Sequence, residues 1–285
     1  MGPDAAVVVE RALILLCVYQ AVGAALFIGL YRTQVASICE RVRRLGGTAA
    51  LCGLTLVLLQ PPLTAARMAG DFSGMSDASL LRLAMHSTQG SSCALLLIGL
   101  ALLVIGLLLR RALAAAWIGA AIAVCAPTVT GHTSVHAQRA LLAPLLVVHL
   151  LVGAFWLGAL WPLGLTVRYE RADVAAHVLQ RFSKLATWLV PCIALAGLGM
   201  AYMLIDDVSV LRRPYGLLLL GKLIVFAGLL GLAALNRWRF APALAAGAAA
   251  RARSSLQRSI VAEYLLIAAV LAMTATLTTL FSPED

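Results

Sequence analysis

The sequence predicts an all-α, polytopic membrane protein, an eight-helix transmembrane bundle with both termini periplasmic. Three observations predict it. Hydrophobic residues fill 62% of the 285 positions and charged residues only 12%, with a mean hydropathy of +0.96, a balance foreign to soluble domains. Apolar runs long enough to cross a hydrocarbon core of about 30 Å recur along the whole chain. Basic residues fall in the short loops between those runs, where topology signals belong.

Taken in order, the spans are expected at 8–31, 47–65, 86–109, 112–130, 141–165, 182–205, 214–236 and 259–281. Each is expected to be a helix, because backbone facing lipid must satisfy its own hydrogen bonds. Two four-helix halves result, 1–125 and 126–285. The loops after the odd-numbered spans carry fifteen Lys and Arg, the opposite side six, with Lys222 left inside a span. That bias places the odd-span loops in the cytoplasm and both termini outside, which for a bacterial inner membrane is the periplasm. Asp4 and Glu10 precede or enter the first apolar run with no basic stretch before it, so no cleavable leader is expected. The Ala-rich 241–255 reads as a cytoplasmic surface helix. Gly23, Gly29, Gly153 and Gly158 read as positions where helices approach closely.

Composition also excludes functions. The net charge of +10 sits in topology loops rather than on one face, so a nucleic-acid surface is not expected. Six cysteines without CxxC spacing exclude a disulfide framework or zinc ribbon. No phosphate-cradling glycine loop or nucleophile–base pair is present, so the chain reads neither as an ATP-driven pump nor as an enzyme.

The chemistry concentrates between Gly131 and Pro162, which holds three of the five histidines. His149 lies about eight residues inside a span, roughly 12 Å below its outer end. Ionisable groups at such depth usually face the bundle interior and carry function. His132 and His136, spaced i, i+4, share a face if their connection is helical. His86 and Cys93, and Cys125 and His132, are each seven apart and would share a helix face. With Met85 and neighbouring outer methionines, these residues form a one-sided set of imidazoles and thioethers, ligands that suit Cu(II) and Cu(I). Lys222 and Glu263 are intramembrane charges at different depths, with Arg258 within snorkelling reach of Glu263.

The ordered motifs resemble one family. Gly131-His132, then His149 followed by FWLGALWPL with Trp156, is similar to the core motif of the CopD/PcoD copper-resistance membrane proteins. FSKLATWLVPCIALAGLGMAY at 182–202, YGLLLLGKLIVFAGLLGLAALNRWR at 215–239 and RSIVAEYLLIAAVLAMTATLTTL at 258–280 resemble that family's following helices. Where the family has Gly-Gly-Leu after the tryptophan, this chain has Gly158, Ala159 and Leu160. The resemblance implies a multi-pass bacterial inner-membrane protein of copper homeostasis and resistance, working beside a periplasmic CopC-like copper-binding protein. The one-sided placement of histidines and methionines points to copper capture at His132, His149 and His86, with Met85 and His136 (which has no counterpart in the family motif) as further candidates, and to passage past Lys222, Glu263 and Trp156 toward the cytoplasm. Two alternatives stand beside transport: a b-type membrane cytochrome with haem between facing histidines, and a copper-binding sensor or assembly factor that moves no ion.

Overall fold

The computed structural model describes residues 2–109, 113–131, 136–205, 207–245 and 249–281. The described residues are helical apart from short turns. Helix α1 spans Pro3–Tyr31, α2 Ala36–Val57, α3 Gln60–Ala69, α4 Ala78–His86, α5 Thr88–Leu108 and α6 Leu113–Cys125. After the break come α7 at Arg139–Tyr169, α8 at Ala172–Leu204, α9 at Pro214–Leu235, the single turn α10 at Ala241–Ala245, and α11 at Ala249–Leu280. Among the described residues seven helical stretches are long and apolar enough to cross a membrane, with α2 and α3 counted as one and α9 and α10 as one. The expected fourth span is shorter: an apolar helix over Leu113–Val129 that ends in a 3₁₀ turn.

Several helices run past their expected ends. The last begins at Ala249, absorbing part of the expected surface helix, because Ala252 and Leu256 are buried in the core. The second span breaks after Leu58, where Pro61 and Pro62 lack backbone N–H groups, and Gln60 at the break is buried.

α1 is the central post. It touches α2, α3, α6, α7 and α11, and buries Val22, Phe27 and Tyr31 completely. Its contact with α7 depends on glycine: a Cβ on Gly158 would lie 2.5 Å from the Gly23 Cα and 2.7 Å from the Tyr19 carbonyl. Without a water-driven force between helices in lipid, such close backbone approach supplies dispersion contact. Gly99 and Gly119 play the same part between α5 and α6; a Cβ on either would lie 2.8 Å from a backbone nitrogen of the facing helix. In the C-terminal part α7 lies against α8 and α11, and α9 lies chiefly against α11.

Basic side chains gather at one end of the bundle. Arg41 and Arg168 stack on Tyr169 and Arg181 on Tyr31. Arg43 donates to the Leu107 and Leu109 carbonyls at 3.1 and 3.3 Å, and Arg253 to those of Val167 and Glu170, satisfying the last carbonyls of α5 and α7. His86 and the start of α7 lie at the opposite end, that of the α1 N-terminus.

Candidate functional site

One face of α7 carries two of the expected residues. His149 and Trp156 are seven positions apart, two turns, so both point the same way about 10 Å apart along the axis. Lys222 and Phe226, one turn apart on α9, run beside that face at matching levels.

At the upper level, His149 Nδ1 lies 3.2 Å from the Ile193 carbonyl of α8. A carbonyl only accepts, so Nδ1 carries the hydrogen and Nε2 keeps its lone pair, the form in which imidazole binds a metal. Gly197 makes room for the ring: a Cβ there would lie 3.2 Å from Cε1 and 3.3 Å from Nδ1. Lys222 is near enough to His149 to interact with it electrostatically.

Two turns along, Trp156 Nε1 donates to Glu263 Oε2 at 3.3 Å and meets Phe226 edge-on, with ring centres 6.3 Å apart. Asn236 Nδ2 donates to Glu263 Oε1. Glu263 is 3% exposed, and a carboxyl group so buried needs its donors. Its donors are thus Trp156 and Asn236, where the sequence suggested a reach toward Arg258. Asn236 was not among the expected site residues. It stands at the head of a wide π turn, Asn236–Phe240, a feature frequent at functional positions. Its Oδ1 is buried without a hydrogen-bond partner. The cluster therefore offers a carboxyl group and an amide oxygen, hard donors able to meet a proton or a cation.

The remaining candidates are scattered. His86 is exposed at the end of α4 and Met85 beside it is 63% exposed. The shared face expected for His86 and Cys93 does not form, because Ser87 starts a new helix, its Oγ accepting from Gly90 N, and Cys93 is buried in α5. His136 precedes α7, and its Nδ1 accepts the Gln138 N–H at 3.0 Å. His132 lies outside the described residues, so its pairings with His136 and Cys125 do too; Gly131 before it adopts a left-handed φ of 74°, which ends any helix there. Among the described residues no three of His, Cys, Asp and Glu form a metal-holding group. All six cysteines are free thiols.

Residues 176–277 match the family model for CopD, copper resistance protein D. That stretch contains Lys222, Asn236 and Glu263, while His149 and Trp156 precede it. The chain is 33% identical over 150 residues to Copper resistance protein D of Pseudomonas syringae pv. tomato, covering 48% of this chain and 48% of that protein. It is 27% identical over 271 residues to Copper transport protein CutJ of Bacillus subtilis (strain 168), covering 90% of this chain and 49% of that protein. The chain spans about half the length of these curated relatives. No solved structure matches it. With its apolar helices and its CopD segment, the chain is a multi-pass membrane relative of the CopD copper resistance proteins.

Proposed function

We propose that this protein carries copper across the bacterial inner membrane, from the periplasm toward the cytoplasm, as a transporter rather than an enzyme. The observation that carries the reading is the single face of α7, with a metal-competent imidazole at one level and a buried carboxyl cluster two turns further on. Copper enters as cargo. His149 Nε2 receives it, with His132, His86, His136 and Met85 as capture ligands nearer the periplasm, thioether favouring Cu(I) and imidazole Cu(II). The ion then passes Trp156 and Glu263, with Lys222 setting the charge beside the histidine. Both termini lie in the periplasm, the arginine-rich end faces the cytoplasm, and the short Leu113–Val129 helix completes eight crossings. Residues 1–125 serve as the supporting half and 126–285 as the copper-conducting half. A periplasmic CopC-like protein delivers the ion.

The residues around His149 favour this over haem ligation. Its Nδ1 faces the Ile193 carbonyl, Gly197 lies against the ring, and the cationic Lys222 is close by. The test is copper uptake into proteoliposomes, with metal analysis and an optical spectrum of the same preparation. Uptake that falls in His149→Ala is the expected result. A Soret band would replace the reading with a cytochrome, and copper binding without flux would make the protein a sensor or assembly factor.

A further inference from the structure

A second polar site is built from side chains of α1, α3 and α5, none of them on α7. A cavity of about 160 Å³ near the α1 N-terminus is lined by Glu10, Arg11, Gln60, Thr64, Arg67 and Gln89. Glu10 is 6% exposed and Gln60 7%, and each has a buried side-chain oxygen, Oε1 in both, without a hydrogen-bond partner. Buried acceptors left this way are destabilising, so two of them lining one cavity ask for a donor.

The neighbouring cations do not supply it. Arg11 donates to the Thr278 carbonyl at 3.0 Å, to Thr279 Oγ1 at 3.2 Å and to Gln89 Oε1 at 3.4 Å. Arg67 pairs with Asp4 at 2.8 Å and donates to the Thr279 carbonyl at 2.6 Å. α1, α3, α5 and α11 all meet here, and among the described residues Arg11, beside it on α1, and Cys93 of α5 interact electrostatically with Glu10, the arginine favouring the charged carboxylate and burial opposing it. With both guanidinium groups hydrogen-bonded to other acceptors, no protein group among the described residues donates to either of these two oxygens. The oxygens are hard and carry a single carboxylate charge, a poor site for Cu(I) and a good one for a proton. The Arg67–Asp4 pair forms an exposed rim, with side-chain exposures of 43% and 62%, so exchange with the solution at this end is open.

We propose that the cavity is a proton-binding site centred on Glu10: its carboxyl group takes a proton from the outer solution, becomes a donor toward the Gln60 amide oxygen, and gives the proton back at the same rim. The side chains that line the cavity all belong to the N-terminal part of the chain.

Infrared spectroscopy of the purified full-length protein in detergent reads this directly, without copper. At neutral pH the wild type is expected to show the carbonyl stretch of a protonated carboxylic acid. Glu10→Gln is expected to lose that contribution, and Glu263→Gln to retain it. Gln60→Leu, which keeps the carboxyl group but removes its acceptor, is expected to move the band to higher wavenumber. A band unchanged in Glu10→Gln would overturn the proposal. So would a band that sodium chloride removes and choline chloride does not, since the resident ligand would then be a metal cation. Where Glu10→Gln does not fold, an unshifted band in Gln60→Leu overturns it alone.

Discussion

Replacing Trp156 by phenylalanine isolates one interaction of the α7 face. The substitution removes the indole N–H that donates to Glu263 Oε2 at 3.3 Å but keeps an aromatic ring to meet Phe226. Glu263 is 3% exposed, so water does not readily replace the lost donor. Hydrogen bonds to charged groups contribute about 1.5–3 kcal/mol, and a buried partner left unsatisfied costs about the same. One donor remains, from Asn236, so the carboxylate keeps part of its stabilisation. If copper passes this carboxylate, the loss enters the barrier to passage, and about 1.4 kcal/mol is a factor of ten in rate. Copper uptake into proteoliposomes should therefore fall about tenfold or more in Trp156→Phe, and at least as far in Glu263→Gln. Copper bound per protein should change little, because His149 lies two turns away. Wild-type flux in both variants, with normal yield and thermal stability, would refute the reasoning and leave the cluster as a helix–helix contact.

Other consequences follow from particular contacts. Gly197→Ala places a methyl group 3.2 Å from His149 Cε1 and should turn the ring off the Ile193 carbonyl, weakening copper binding about 10–100-fold, as loss of a ligand's supporting contact does, read by competition with a copper chelator. Gly158→Ala brings a Cβ to 2.5 Å from the Gly23 Cα, forces α1 and α7 apart, and should cost about 1–3 kcal/mol in detergent unfolding, with Gly131→Ala a strained but distant control. Asp77 caps α4 by accepting from Ser79 N at 2.8 Å and Leu80 N at 3.2 Å, and the Ser79 hydroxyl and backbone hold its carboxyl below the usual range. A carboxyl group lowered in the folded state contributes stability above its unfolded value and loses it as pH falls through the folded one. Hydrogen exchange at Ser79 and Leu80 should therefore show more frequent opening in acid, an effect absent in Asp77→Asn.

Much of this protein could be read along the chain. Span positions, their helical state and the segregation of arginines follow from one-dimensional properties, because lipid judges each apolar run by its own length and backbone satisfaction. The roles of Gly23 and Gly158 as close-approach positions and the placing of His149 and Glu263 inside apolar helices were legible for the same reason: each breaks the expectations of its own segment. The partners were not. Trp156 and Glu263 are 107 positions apart, and nothing local says that Asn236, rather than Arg258, completes the pair. The helix break at Ser87, which parts His86 from Cys93, depends on a cap that the heptad spacing hid. The Glu10–Gln60 cavity is the clearest case, since neither residue has a distinguishing motif and the site exists only where α1, α3, α5 and α11 converge. Hydropathy and charge are summed within a segment and so survive in sequence. Which faces meet, and which buried oxygen is left without a donor, is decided by how the helices turn toward one another, and only the tertiary structure contains that.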